Sequence, residues 1–281
     1  MEAQVEWDIP DPSLPIRQGD ILIRRDVATG QVQEALLVIT ADCDIKNNKY
    51  GRHLACLRIL SLDDYVKIVW AERKLEKLVF EESKKLRAQL AKWHTRAQGT
   101  PSTLSIEAAV EWVRREEPNS ICQALVIPES DTKKMQKMLG RFRAALAILQ
   151  MQECSLMKYV EFRVALTNQD VKACRQEALK QAKSEPLPED VFLLPGLPQV
   201  ERFPCFVMLR EIVGIAPDSV HFRTMDASTN ESMLRVGRLL PTFKYAVSQA
   251  FGALYSRIGL PVEYEQRRNI AIEGIASITW G

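Results

Sequence analysis

The run Ala35-Leu36-Leu37-Val38-Ile39-Thr40 decides the fold class. Six residues without a charge, at strand length, suit a strand covered on both faces, since a strand with one wet face alternates apolar and polar residues. Upstream, Gly19-Asp20 leads into a second apolar run, Ile21-Leu22-Ile23. Between the two runs, Asp26-Val27-Ala28-Thr29-Gly30 reads as a turn, with Gly30 free to take positive φ. Downstream, the polar stretch from Asp42 to Gly51 is a loop, and His53-Leu54-Ala55-Cys56-Leu57-Arg58-Ile59-Leu60 returns as a third strand. Pro10, Pro12 and Pro15 make residues 1–15 an extended arm.

At residue 62 the pattern changes. Leu62, Val66, Val69, Leu75, Leu78, Val79, Leu86 and Leu90 recur near helical spacing, and Gly99-Thr100-Pro101 is the next breaker, so a long, kinked helix is predicted over 62–97. Ser105 precedes a helix over 106–115 that stops before Pro118. Ser130-Asp131 caps an amphipathic helix whose apolar face is Met135, Met138, Leu139, Phe142, Leu146 and Leu149. The two methionines read as core. A further helix is predicted over 168–183, and Pro186 and Pro188 close the block. Strands return at Val191-Phe192-Leu193-Leu194 and, with a break, at 203–215, with 218–225 as a hairpin partner. A helix near 242–258 ends at Gly259-Leu260-Pro261, and 275–280 is a last strand. The fold class is therefore α+β. Both chain ends, 1–61 plus 186–281, are expected to build one small SH3-like β-barrel, with 62–185 as a helical insertion. Three N-terminal strands alone give a small core, and sheet edges are normally paired or covered.

Composition narrows the function classes. The chain has 281 residues, 46% hydrophobic and 26% charged, with net charge +2. These values exclude a disordered, collagen-like or disulfide-stapled chain. The N-terminus carries acids and prolines where a secretory leader carries basic and then apolar residues. No apolar stretch reaches the roughly 18 residues of a membrane span, so no membrane partner is expected. Six cysteines lack CxxC or zinc-finger spacing, which reads as reduced, mostly buried thiols in a cytoplasmic protein. The near-neutral total hides an asymmetry. Residues 1–64 hold seven Lys/Arg against eleven Asp/Glu, whereas 66–97 hold nine against four.

Three segments carry candidate chemistry. Asp42-Cys43-Asp44 follows the central strand. Cys43 with His53 as base is a candidate catalytic pair, although the flanking carboxylates oppose thiolate formation. Asp42, Asp44, Cys43 and His53 also have metal-ligand chemistry, but the spacing fits no ligand pattern, and neither metal nor cofactor is expected. The plainer alternative is a turn in which Asp42 or Asp44 accepts backbone N–H bonds while Cys43 fills a core position. Second, Lys133, Lys134, Lys137, Arg141 and Arg143, with Lys84, Lys85, Arg87, Lys92 and Arg96, make a candidate phosphate or nucleic-acid surface, or else a solvated helix face. Third, Arg235 and Arg238 flank Gly237 just before a helix. They are a candidate anion site, or else pair with acids. No Walker, GxGxxG, HExxH or GxSxG motif occurs.

Gly19-Asp20-Ile21-Leu22 with Ala35-Leu36-Leu37-Val38-Ile39-Thr40 resembles the opening of MazF/PemK-type toxins. That resemblance implies a small barrel and, as an alternative function, a toxin nuclease. The Asp42-Cys43-Asp44 loop and the helical segment depart from that pattern, and no catalytic residue carries over. Val38 to Ile45, together with Arg238-Leu239-Leu240-Pro241 and Ser256 to Pro261, is similar to uncharacterised bacterial proteins, which implies one discontinuous domain. Without a recognisable catalytic constellation, the expected function is a non-enzymatic binding or accessory component of a bacterial multi-protein system. Such a system could serve anti-phage defence and associate with nucleic acid. A protein partner is expected, with nucleic acid as the second partner class and a cysteine-dependent hydrolase as the other alternative.

Overall fold

Apolar runs separated by turn chemistry become strands, and runs at helical spacing become helices, in a computed structural model that describes residues 6–198 and 204–256. The chain begins with β1 (Trp7–Asp8), β2 (Asp20–Arg25), β3 (Val32–Val38), the short helix α1 (Asp42–Lys46) and β4 (Leu54–Ser61). A helical stretch follows: α2 (Leu62–Asp64), a π-helical turn (Tyr65–Trp70), α3 (Ala71–Gln98), α4 (Ile106–Arg115), α5 (Pro118–Ala124), α6 (Glu129–Ile148), α7 (Ser155–Thr167) and α8 (Val171–Ser184). The last part holds β5 (Val191–Leu194), β6 (Cys205–Ile215), β7 (Val220–His221), β8 (Met233–Leu239) and α9 (Pro241–Ser256). Two compact units result, one drawn from both ends of the chain and one spanning Leu62–Pro186.

The first unit is α+β, built on a curled sheet, a half-barrel. Its strand order is β1-β8-β2-β3-β4-β6-β5, with β7 beside β8. The pairings along that path are antiparallel, and β7 runs parallel to β8. The β2–β3 turn closes with Gly30 at φ 70° and with the Asp26 carboxylate accepting the Thr29 N–H at 2.7 Å. Side-chain alternation then sorts the strands into two faces. Ile21, Ile23, Ala35, Leu37, Leu57 and Ile59 pack with Val236 and with Val247 and Leu254 of α9. Leu22, Leu36, Val38, Leu54 and Cys56 pack on the other side with Val220 and Met233. Both faces are apolar here, so these runs contain no polar alternation. Farther along the second face charge takes over. Arg24 pairs with Glu34 at 2.9 Å, and Arg58 reaches Glu34 and Glu211 at 3.8 and 3.5 Å.

Three register shifts interrupt the sheet, one of them in β2–β3 between Arg24 and Arg25. In β4–β6, Leu57 faces Ile212 while Arg58 faces Met208, so residues 209–211 bulge out. The buried Leu209 there donates its N–H to the Asp190 carbonyl at 2.9 Å. In β2–β8, Ile21 faces Gly237 and Leu22 faces Arg235. Gly237 sits so close to its neighbours that a Cβ there would meet Pro198 Cγ at 2.6 Å.

Some sequence expectations are corrected. Residues 218–225 are not a hairpin partner of the long strand: they hold a 3₁₀ turn at Pro217–Ser219 and the two-residue β7, which joins β8. Period-two alternation marks an extended segment but does not name its partner. The long strand β6 pairs instead with β4 and β5. Residues 233–239, read only as the approach to a helix, are the strand that joins β1 to β2. The strand expected at 275–280 lies outside the described residues.

The helical unit has two further elements that the sequence reading did not separate. α5 starts with Pro118 in its first turn. α7 buries Leu156, Tyr159, Val160 and Phe162 on one side but also carries Met157, Val164 and Ala165 beyond them, so it lacks a clean amphipathic stripe. Asn168, expected to open a helix, is the left-handed residue that ends α7 at φ 61°. The next helix is capped by Asp170, which accepts the Ala173 N–H at 3.0 Å. Ser105 caps α4 as read, accepting the Ala108 N–H at 3.1 Å. Ser130 and Asp131 lie inside α6, whose N-cap position is Pro128. Leu86, Leu90, Trp93, Val113, Ile121, Leu139 and Phe142 form one apolar cluster. Glu185 accepts from Trp70 Nε1 at 3.0 Å and from Lys74, tying the beginning of the unit to its end.

A buried ion cluster fastens the sheet unit. Asp20, at 0% side-chain exposure, meets Arg235, at 1%, across 3.6 Å. Arg238 grips the same carboxylate through Nε and Nη2, and the Arg17 N–H donates to it at 2.8 Å. Arg235 also donates to the carbonyls of Asp11, Leu14 and Pro15 at 2.8, 2.9 and 3.2 Å, and stacks on Phe222 at 4.4 Å. Removing one member of a buried pair strands the other charges. Asp20→Asn is therefore expected to cost about 3–5 kcal/mol in urea denaturation of the sheet unit. Glu34→Gln, in the more exposed ladder, should cost under about 1 kcal/mol. Equal losses in the two variants would refute this assignment.

Candidate functional site

In the helical unit, one face from each of three helices converges on a groove of about 430 Å³. From α3 come Leu78, Glu82, Lys85 and Leu86, at i, i+4, i+7 and i+8. From α6 come Lys134, Lys137 and Arg141, at i, i+3 and i+7, with Met138 and Phe142 on the adjoining stripe. α7 packs against both helices and adds Arg163, Leu166 and Thr167. The lining thus carries five basic side chains and one acid, over an apolar wall.

The charges are unevenly compensated. Glu82 pairs with Lys85 at 2.6 Å and raises the lysine's pKa through that hydrogen bond and its charge. Arg163 Nη2 pairs with Glu177 at 2.7 Å, and its guanidinium lies 5.7 Å from the Tyr159 ring. Its Nη1 is buried and has no hydrogen-bond partner among the described residues. Lys134, Lys137 and Arg141 form no ion pair among those residues, leaving the α6 rim positive. The excess positive charge favours anions over cations. The groove contains no paired nucleophile and base.

Three of the five α6 candidates reach this groove. Lys133 is exposed outside it, and Arg143 pairs with Glu117. Arg163 escaped the sequence reading because α7 itself did. Once Leu156, Tyr159 and Arg163 are placed on one helix, their i, i+3 and i+7 spacing puts Arg163 on a shared face. The chain matches no protein-family model, no curated protein and no solved structure. The site is therefore read from its own chemistry.

The Asp42-Cys43-Asp44 segment is the one-turn helix α1. Asp42 accepts the Gln18 N–H at 2.9 Å and pairs with Lys244 at 3.0 Å, linking the start of β2 to α9. Gln18 continues the link by donating to Ser248 Oγ at 3.1 Å. Cys43 is exposed rather than part of the core, because the helical turn directs it outward. Its thiol lies 3.7 Å from Asp44 Oδ1. His53 is exposed too, and no hydrogen bond joins it to Cys43 among the described residues. The buried cysteines are Cys56, Cys122, Cys174 and Cys205. Burial pushes the Cys56 and Cys205 thiols up to about 12 and about 11, which keeps them protonated. No group of three or more His, Cys, Asp or Glu among the described residues is placed to hold a metal. Among those residues, no helix is long and apolar enough to cross a membrane.

Arg235 and Arg238 already share Asp20 and the arm carbonyls described above, so their donors serve the fold. The pairing alternative raised from sequence describes their environment.

Partial burial pushes the Asp42 carboxyl pKa up, but Lys244 and the Gln18 N–H outweigh it and hold the pKa below its ordinary value. A lowered folded-state pKa contributes stability above the unfolded value, near 3.9, which is lost as pH falls through the folded one. Asp42→Asn is expected to melt below the unsubstituted protein at neutral pH. The gap should close below about pH 4. Thermal melts of both proteins across that range check this, and a gap that persists in acid contradicts it.

Proposed function

We propose that this protein is a non-enzymatic nucleic-acid-binding component and that the groove between α3, α6 and α7 is its contact surface. One observation carries the reading. Three separate helices, α3 about thirty residues before α6, bring five basic side chains and one acid into a single concavity, and three of those bases have no acidic partner among the described residues. A solvated amphipathic helix needs no such convergence. Like charges brought together repel, and Lys134, Lys137 and Arg141 make no ion pair among the described residues to offset that. Phosphate groups relieve that repulsion, and displaced counterions drive the association. For the sheet unit, the β2–β3–β4 meander joined by β8 from the far end of the chain supports the SH3-like reading of the half-barrel. That reading supplies a scaffold, not an activity.

Labelled single- and double-stranded oligonucleotides, titrated by fluorescence anisotropy over a salt series, test the proposal. The unsubstituted protein should bind, with affinity falling as salt rises. The triple variant Lys134→Gln, Lys137→Gln, Arg141→Gln should bind at least about tenfold more weakly at low salt. Its slope of log affinity against log salt should be shallower by about 2, since each phosphate contact contributes about 0.7–0.9. Unchanged helical circular dichroism separates this from unfolding. Absence of binding by the unsubstituted protein, or equal binding by the triple variant, overturns the proposal.

A further inference from the structure

We infer that the groove takes an unpaired nucleotide of a single strand, with its phosphates on the α6 rim and its base against the apolar wall. The inference rests on the nucleic-acid reading above and narrows it to one class of ligand. Three features support it.

The first is the wall. Beside Lys134, Lys137 and Arg141 lie the half-buried Met138 of the same helix, Leu78 of α3 and Leu166 of α7, backed by the core residues Phe142 and Leu86. A surface that reads duplex phosphates has no use for an apolar lining, because duplex bases are stacked inside and present only their edges. An unstacked base exposes flat apolar faces, and such a wall removes them from water.

The second is size. About 430 Å³ lies within the range that encloses a small ligand, of roughly 300–1,000 Å³. One nucleotide fits that scale, while a duplex can only lie across the mouth and leave the wall unused.

The third is Arg163. Its Nη2 is anchored by Glu177 at 2.7 Å and its guanidinium lies beside the Tyr159 ring, so the fork is held in place. Its Nη1 is nevertheless buried with no hydrogen-bond partner. A buried donor left unpaired is costly, and such groups call for a partner. Arg163 lines the groove, and a small turn of its guanidinium toward the groove would bring this donor to a ring oxygen or nitrogen of a seated base. Arg163 is thus assigned to hold the base, distinct from the rim cations that hold phosphate.

The experiment uses the full chain, a labelled thymidine oligonucleotide, the same strand annealed to its complement, and poly-glutamate as competitor. The single strand should bind about tenfold or more tightly than the duplex at equal salt, the size of effect that burying one base provides. Arg163→Lys keeps the charge and can still reach Glu177, but lacks the fork. It should reduce the single-strand preference several-fold while leaving the salt slope unchanged, an outcome that a purely structural or purely electrostatic Arg163 does not produce. If the duplex binds as well as the single strand, and the rim triple variant weakens both, this inference fails while the nucleic-acid reading stands. Displacement by poly-glutamate as effective as by unlabelled strand shows a general polyanion surface and overturns it as well. If neither strand binds, the underlying reading fails and takes this one with it. An unchanged preference in Arg163→Lys removes the base-holding role.

Discussion

Asp20 is a carboxylate with no exposure to water, and the architecture of the sheet unit follows from what that requires. A buried, ionised carboxylate is tolerated only when opposite charge and hydrogen bonds surround it. Its neighbours in sequence supply a single backbone N–H, from Arg17. The compensating guanidiniums belong to Arg235 and Arg238, more than two hundred residues away. To deliver them, β8 has to lie beside β2, and that placement makes the chain ends one sheet rather than two small ones. The remaining donors of Arg235 then fix the proline-containing arm through three carbonyls. A residue set that looks like an anion site in sequence is thereby committed to joining the two ends of the chain.

The helical unit distributes charge in the opposite way. In the sheet unit several basic side chains have a carboxylate: Arg24 and Arg58 share Glu34, Arg210 faces Asp190, and Lys244 faces Asp42. On the α6 rim, three cations within one face have none among the described residues. Stability does not call for that arrangement, since unopposed like charges destabilise a fold slightly. Beside it lie Leu78, Met138 and Leu166, so unopposed charge adjoins apolar side chains, and on that pairing the single-strand proposal rests.

Legibility from sequence tracks the range of the forces involved. The strands at 21–23 and 35–38, the turn at Gly30, the Ser105-capped helix over 106–115 and the closing helix near 242–256 are visible because periodicity, capping and breaker residues act within a few positions. α7 was invisible for a physical reason: Met157, Val164 and Ala165 add apolar residues beyond its buried side, which erases the stripe that identifies an amphipathic helix. With it went Arg163. Cys43 was misplaced because a single helical turn between two strands leaves no periodicity to read.

The sequence alone determined the apolar strands near the N-terminus, most of the long helices with their breakers, and that basic residues gather in the middle of the chain while acidic ones prevail at its start. Those properties are local, set by backbone preference and by apolar spacing. Only the tertiary structure decided that β8 lies between β1 and β2, that 220–221 joins β8 rather than β6, that Arg235 and Arg238 serve Asp20, and that Lys134, Lys137 and Arg141 share a groove with Lys85 and Arg163 while Lys133 and Arg143 do not. Those facts depend on pairings across long stretches of chain. There, loop closure and the burial of charge select a partner that no local pattern names.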